Sequence, residues 1–189
     1  MISSMNLQII RLSDVQPTSW KNGGGTTREL VAWPNAEEWK WRASVAEVAK
    51  SGPFSSFPDV QRWFAVLSGD GVSLTVDGQS HELRVSDPPL RFDGAAKTHC
   101  ELLGDATQDF NLMVQGGATA RMQRVCTELH TMVNTPKIIA IYAGNAKTSV
   151  LFGLKRYELE PNCLGWMCVD ESMTFQMCSA DALLMEITL

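Results

Sequence analysis

Histidine is scarce in this sequence, and the spacing of its histidines excludes the simplest metal-binding motifs. The chain has three histidines among its 189 residues, at His81, His99 and His130. None of them forms an HxH, HxxxH or HExxH pattern, the spacings that aim two imidazoles at one ion from a strand or a helix. The three could still converge in space, but ordinary surface positions explain them more simply. We therefore expect no metal and no other cofactor.

The sequence also lacks the charge pattern and the apolar runs of nucleic-acid-binding and membrane proteins. With 16 basic and 21 acidic residues the formal net charge is −5, and no run of Lys or Arg exceeds two residues. Such a chain offers no footprint for a phosphate backbone. No run of about 18 apolar residues occurs, and the first residues do not have the pattern of a signal peptide. We therefore expect no nucleic-acid or membrane partner. Because the five cysteines are odd in number and lack a CxxC pair, we also expect reduced thiols and a cytoplasmic protein.

Long amphipathic helical patterns are absent too, and short segments of period two take their place. The clearest segment runs from Val72 to Val76 and is followed by Asp77-Gly78, a dipeptide that favours a tight two-residue hairpin turn. About ten such segments, separated by Gly and Pro, predict an all-β sandwich or barrel. They form two series with a weak boundary at residues 116–118. We interpret the series as two β-rich halves packed together rather than two independent domains.

The stretch Trp20–Leu30 has the most unusual composition, because it holds three successive glycines at positions 23–25. Successive glycines cost backbone entropy and occur where a chain takes positive φ or passes close to another group. One interpretation is a tight crossing of the backbone, and the other is a loop that presents polar side chains at the mouth of a pocket. Those side chains would belong to Asn22, Thr26, Thr27 and Arg28. The sequence favours neither interpretation over the other.

A rigid segment with two prolines, Gly52–Pro58, precedes a strand that begins near Arg62. If Arg62 faces inward, its guanidinium offers a fork of donors that suits a carboxylate. If it is exposed, it pairs with Asp59 instead. Both alternatives stay open at the level of sequence.

Two further strands carry polar side chains on one face. Alternation over residues 41–48 puts Arg42 and Ser44 together on the more polar face of that strand. Alternation likewise puts Asp109 and Asn111 on one face of a later strand. Each pair lies either on a solvated surface or in the lining of a pocket.

These motifs, in this order, resemble the HutD/Ves family. The resemblance rests on residues 20–30, 41–46 and 52–58 with Arg62, and on residues 109–113. The family pattern ordinarily reads Phe-Pro-Gly-x-Asp-Arg, whereas this chain has Asp59 and Gln61 at the Gly and Asp positions. Arg62 keeps its place, and the two departures affect the shape of the turn before it.

The resemblance implies a bicupin, that is, two cupin-like β-barrels in a single chain. The halves would comprise roughly residues 1–117 and 118–189, and they could exchange strands. Cupin metal sites ordinarily need an HxH motif, and here Phe-Ser-Ser-Phe-Pro fills the place where it would fall. HutD-like members are associated with histidine-utilisation operons and are thought to be regulators that bind a metabolite such as urocanate or formylglutamate. Ves-like members are described as stress-induced, and the shared motifs do not separate the two branches.

Our leading hypothesis is a metal-independent protein that binds a small carboxylate metabolite, because no recognised catalytic constellation is present. We expect the ligand-binding residues to be Asn22, Thr27, Arg28, Glu29, Arg42, Ser44, Phe54, Ser55, Phe57, Arg62, Asp109 and Asn111. The main alternative is a metal-independent cupin enzyme, an isomerase or hydrolase, with Asp109 or Glu29 as general base. A third is an interaction protein without a pocket. The sequence is compatible with a homodimer.

Overall fold

The computed structural model describes residues 6–133 and 136–189, and these residues form an all-β structure. Their strands are numbered β1 to β19 in chain order, and the one helical element among them is a 3-10 turn at Leu12–Asp14. Within this described part, no helix is long and apolar enough to cross a membrane. The prediction of an all-β fold is confirmed. The chain divides into two compact units.

The central unit, Val15–Ala118, contains two antiparallel sheets. The larger sheet has six strands in the order β2 (Thr18–Ser19), β3 (Gly25–Trp33), β4 (Trp41–Val48), β11 (Thr107–Val114), β6 (Gln61–Ser68) and β9 (Leu90–Asp93). The smaller sheet has four strands in the order β5 (Gly52–Pro53), β10 (Thr98–Leu102), β7 (Val72–Val76) and β8 (Gln79–Leu83). The larger sheet therefore brings together strands from both ends of this unit.

The two sheets of the central unit pack against each other through one apolar cluster. The larger sheet contributes Phe64 and Val66 to it, and the smaller sheet contributes Leu74 and Cys100, all at most 1% exposed. Alternate residues of β6 therefore point toward the smaller sheet. Arg62, two residues before Phe64, points to the same side.

The hairpin predicted at Asp77-Gly78 is present. β7 and β8 pair with Val76 opposite Gln79, and the φ angles of Asp77 and Gly78 are 47° and 84°. Positive φ at both central positions is the requirement of a type I′ turn, the two-residue turn that suits the twist of the flanking strands. The dipeptide predicts this turn because Gly, and to a lesser extent Asp, tolerates positive φ.

The terminal unit comprises residues 6–14 and Thr119–Leu189. One of its sheets has five strands in the order β1 (Gln8–Arg11), β17 (Cys163–Val169), β14 (Lys137–Ala143), β19 (Ala182–Thr188) and β12 (Thr119–Val125). The other has four in the order β13 (Glu128–Val133), β18 (Met173–Cys178), β15 (Thr148–Phe152) and β16 (Lys155–Leu159). The amino-terminal strand β1 belongs to this unit because it pairs with β17, with Gln8 opposite Trp166. Residues 6–14, which the sequence assigns to the first half, therefore group with the later part of the chain.

Glycine at position 25 allows β3 to run close beside β4. The strand begins at Gly25, where an added Cβ atom would collide with the backbone oxygen of Glu47. A close backbone approach, one of the two interpretations of the glycine stretch, is therefore present at this residue. The loop interpretation holds only up to Gly24, because residues 25–33 form a strand.

We expect Gly25→Ala to destabilise the protein by about 1–3 kcal/mol, the usual cost of forcing extra volume into a packed site. Gly52→Ala is the matched control, because a Cβ atom there has no neighbour within 4 Å. Chemical denaturation of both variants measures the difference. Equal stability of the two variants would show that the β3–β4 approach tolerates a side chain.

Candidate functional site

The central unit contains a cavity of about 800 Å³ on one face of its six-stranded sheet. Residues of β2, β3, β4, β5, β6 and β11 line it, together with the loop after β2 and the segment that follows β5. The lining residues are Thr18, Ser19, Trp20, Lys21, Asn22, Thr27, Glu29, Arg42, Ser44, Ala46, Pro53, Phe54, Ser55, Phe57, Arg62, Asn111 and Met113. Ten of the twelve residues predicted from the sequence are among them. Their role in binding a ligand stays a prediction.

Strand alternation explains why polar side chains face this cavity. On β4, Arg42 and Ser44 line it, whereas Trp41 and Ala43 are fully buried on the opposite face of the strand. The face interpreted from the sequence as the more polar one is thus the face of the cavity. It is not a solvated outer surface.

The strand register places these side chains in two rows across the sheet. In one row, Ser44 lies opposite both Glu29 on β3 and Asn111 on β11. In the next row, Met113 lies opposite Arg42 on β4 and Arg62 on β6. The two arginines therefore flank β11 symmetrically.

Arg62 is buried and has no carboxylate partner. Arg62 is only 5% exposed, and its Nη2 donates to the Asn111 Oδ1 at 3.0 Å. Its Nη1 donates to the backbone oxygen of Ser55 at 3.4 Å, while its Nε has no partner among the described residues. Within residues 6–133 and 136–189, no acidic oxygen lies within 4 Å of this guanidinium. The alternative of an exposed Arg62 paired with Asp59 is therefore wrong.

Three aromatic rings surround the Arg62 guanidinium. Its carbon lies 5.4 Å from the ring centroid of Phe54, 5.6 Å from that of Phe57 and 5.0 Å from that of Phe92. The rings exclude water and contribute cation–π attraction. Burial lowers the pKa of Arg62 to about 10, so the side chain remains a cation at neutral pH. The result is a buried positive charge whose contacts among the described residues are all with neutral groups.

Arg42 differs from Arg62 because it has a counter-charge. Its Nη2 lies 2.6 Å from the Glu29 Oε2, and its guanidinium carbon lies 5.2 Å from the Trp39 ring centroid. The Arg42 and Glu29 side chains are 28% and 38% exposed, so both are open to the cavity and to solvent. This pair adds polar groups to the cavity without adding net charge.

The remaining wall combines an aromatic pair with fixed polar groups. The Trp20 Nε1 donates to the Thr27 Oγ1 at 2.7 Å, and the Trp20 ring meets Phe54 edge to face at 6.2 Å. The Asn22 Oδ1 accepts from the Gly24 amide at 3.0 Å, which holds the loop after β2 in place. Apolar surface therefore lines the same cavity as the Arg62–Asn111 and Arg42–Glu29 pairs.

Two predicted site residues, Arg28 and Asp109, do not line the cavity. Arg28 lies between Thr27 and Glu29 on β3, so alternation turns it to the other side, where its Nε donates to the Val15 oxygen at 3.2 Å. Asp109 is on the same face as Asn111 but is fully buried beyond it. Arg28 is excluded because alternation along β3 turns it away, and Asp109 is excluded because it lies too deep in the interior.

Asp109 is a buried carboxyl group with one unsatisfied oxygen. Its Oδ2 accepts from the Thr107 hydroxyl at 2.7 Å, whereas its Oδ1 has no partner among the described residues. Burial raises the pKa of Asp109 to about 7, although the Thr107 hydrogen bond acts in the opposite direction. Burial, together with the negative charges of Asp109 and Glu101, also raises the pKa of Cys100 to about 12. The interior around Asp109 and Cys100 therefore disfavours negative charge.

Seven lining residues were not predicted from the sequence. Ala46 and Met113 continue the alternation of Ser44 and Asn111, so period two was a signal that could have found them. Trp20 and Lys21 directly precede Asn22. No sequence signal marks Thr18, Ser19 or Pro53 as lining residues.

The donor set of the cavity does not fit a transition metal. Its only carboxylate is that of Glu29, already paired with Arg42, and the other polar groups are guanidinium, ammonium, amide and hydroxyl groups. Transition metals in proteins prefer imidazole, thiolate and several carboxylate ligands. Among the residues that the structure describes, no group of three or more His, Cys, Asp or Glu side chains could hold a metal ion. That the protein binds no metal stays a prediction.

Comparison with known proteins decides the family. A model of the HutD family matches residues 12–185. The chain belongs to the HutD family. It is 40% identical over 109 residues to an uncharacterised 21.2 kDa protein in the hutC 3′ region of Pseudomonas putida, and 34% identical over 113 residues to protein Ves of Cronobacter sakazakii. These matches cover 57% and 59% of this chain and 57% and 62% of the relatives, which is less than two thirds of either.

Solved structures agree with the HutD assignment and show the fold. HutD from Pseudomonas fluorescens SBW25, determined in a formate condition, is 28% identical, with a TM-score of 0.86 over 97% of this chain and 98% of that one. A cupin 2 conserved barrel domain protein from Leptotrichia buccalis has a TM-score of 0.55 at 7% identity, over 95% of this chain and 94% of that one. At that identity the likeness concerns the fold alone. The fold of this HutD-family chain is therefore cupin-like.

The raised pKa of Asp109 predicts a pH dependence of stability. An unfolded aspartate has a pKa near 3.9, so between about pH 4 and pH 7 the unfolded state has lost a proton that the folded state keeps. This group therefore stabilises the folded state below pH 4, and the stabilisation is lost as the pH rises to about 7. In Asp109→Asn we expect the free energy of unfolding to decrease less, or to increase more, between about pH 4.5 and about pH 7.5 than it does in the wild type.

Asp105→Asn, at an exposed position, is the matched control and should keep the wild-type pH dependence. Urea denaturation at the two pH values gives the comparison. An unchanged pH dependence in Asp109→Asn would mean that Asp109 is ionised in the folded protein.

Proposed function

We propose that this HutD-family protein binds a small carboxylate metabolite in the cavity of its central unit. The single observation that carries the proposal is the buried guanidinium of Arg62, which has no acidic partner among the described residues. A buried charge is costly unless it is paired. A ligand carboxylate would supply the missing counter-charge.

The groups around Arg62 suit a carboxylate. Since the Asn111 Oδ1 accepts from Arg62, its Nδ2 is left to donate into the cavity. Ser44, directly opposite Asn111 on the neighbouring strand, adds a hydroxyl donor. Together with the guanidinium of Arg62, which lines the cavity, these groups offer several donors to two carboxylate oxygens.

The wider context supports a regulatory role in histidine utilisation. The Pseudomonas putida relative is a protein of the hutC 3′ region. Urocanate and formylglutamate, which carry one and two carboxylates, are the candidate ligands. We further propose a metal-independent, cytoplasmic bicupin whose two halves correspond to the two units, since each unit contains one larger sheet and one four-stranded sheet.

Binding without turnover fits the cavity better than catalysis by a general base. Asp109, one candidate base, lies outside the cavity lining. Glu29, the other, already pairs with the Arg42 guanidinium at 2.6 Å. Both placements support a binding protein over an isomerase or hydrolase.

We expect Arg62→Ala to weaken the binding of urocanate or formylglutamate by about 2–5 kcal/mol, the range for losing one partner of a buried charge pair. Arg62→Lys should rescue only part of this loss, because an ammonium lacks the two-donor fork. Asn111→Asp should abolish binding while the protein stays folded, because the new carboxylate would itself neutralise Arg62. Calorimetric titration of each variant, after circular dichroism has verified folding, measures these effects.

Arg121→Ala, at an exposed position on β12, is the matched control and should bind like the wild type. Wild-type affinity in a folded Arg62→Ala variant would show that Arg62 does not bind the carboxylate and would contradict the proposed site. Recovery of a chemically altered ligand after titration, checked by NMR, would show that the protein is an enzyme and not only a binding protein.

A further inference from the structure

Two arginines of the cavity are arranged alike but have different charge balance. Arg62 and Arg42 both lie opposite Met113, on the two strands that flank β11. Each reaches an acceptor in the neighbouring row of the sheet. Arg62 donates to the Asn111 amide oxygen at 3.0 Å, and Arg42 pairs with the Glu29 carboxylate at 2.6 Å. The first pair therefore carries one positive charge, and the second pair carries none.

The two pairs lie at opposite ends of one polar row. Glu29 and Asn111 are the neighbours of Ser44 on its two sides, so two strand spacings, roughly 10 Å, separate their Cα atoms. Both side chains line the cavity. A ligand held by Arg62 would reach Glu29 if its two polar groups were roughly five bonds apart.

Glu29 presents an acceptor that is already in position. Its Oε2 contacts Arg42, while its Oε1 has no partner among the described residues. Arg42 itself stacks on Trp39 with a centroid distance of 5.2 Å, which fixes the arginine and, through it, the Glu29 carboxylate. A carboxylate oxygen in such a place accepts strongly from N–H groups and repels other carboxylates.

We infer that the cavity selects two-ended molecules, with a carboxylate at Arg62 and an N–H donor at Glu29. The inference rests on the proposed function, because Arg62 and Asn111 hold the carboxylate end. Glu29 is then a specificity-determining residue. It supplies an acceptor for the far end of the ligand, and it neutralises Arg42, so that a second carboxylate gains nothing there.

Three probes with five carbon atoms each test this inference: pentanoate, 5-aminopentanoate and glutarate. They share one carboxylate and differ at the far end, which is a methyl, an ammonium or a second carboxylate. We expect the wild type to bind 5-aminopentanoate about tenfold more tightly than either of the others, the gain of one charge-assisted hydrogen bond. NMR titration of the full chain measures all three affinities.

Glu29→Gln should reverse the ranking. The substitution keeps the shape of the side chain but removes its charge, which leaves Arg42 without a counter-charge. Glutarate should then bind about tenfold more tightly than 5-aminopentanoate, because its second carboxylate pairs with Arg42. Glu47→Gln is the matched control, since Glu47 is exposed on the opposite face of β4, and it should keep the wild-type ranking.

The outcomes separate this inference from the proposed function. If pentanoate binds and Arg62→Ala abolishes its binding, the carboxylate site stands. If 5-aminopentanoate then has no advantage in the wild type, or if Glu29→Gln leaves the ranking unchanged, the inference about the far end is overturned. If none of the three probes binds to the wild type, the carboxylate site and the inference fail together.

Discussion

A guanidinium buried without a counter-charge is the constraint on which the central unit depends. Arg62 is 5% exposed and is surrounded by an amide, a backbone carbonyl and three phenylalanine rings. Moving a charge into a protein interior is costly unless an opposite charge accompanies it. The neutral side chain of Asn111 is decisive, because a carboxylate in its place would balance the charge within the protein. The fold instead keeps a positive charge at the wall of a cavity, where a ligand can balance it.

The surrounding residues preserve this imbalance. Burial raises the pKa of Asp109, on the same face of β11 as Asn111, to about 7, so at neutral pH this carboxyl group carries less negative charge than an exposed aspartate does. The Glu29 carboxylate is paired with Arg42 and not with Arg62. Alternate residues of four neighbouring strands face one cavity, and within the Ser44 row the difference between Glu29 and Asn111 decides which arginine is left without a counter-charge.

Period-two alternation and turn dipeptides predicted much of this fold and of its site. They found β4, the hairpin at Asp77-Gly78, and the cavity-facing positions of Arg42 and Ser44. They missed β17, whose residues Cys163–Val169 are almost all buried on both faces and therefore show no alternation. They also missed β3, because its glycine-rich start resembles a loop, and with it the alternation that turns Arg28 away from the cavity. Burial depth, which excludes Asp109, depends on packing between the two sheets and is not encoded in any local pattern.

The most direct test of the central claim is the ¹H–¹⁵N resonance of the Arg62 Nε, followed as acetate is added to the folded protein. This nitrogen has no partner among the described residues and belongs to the one cavity arginine in the described chain that lacks a carboxylate. The Arg62→Lys spectrum assigns the resonance by its disappearance. A buried, uncompensated guanidinium predicts a saturable shift of this signal at acetate concentrations that leave the Arg42 signal unchanged. An Arg62 signal that does not move, or that moves only in step with the exposed arginines, would contradict the claim.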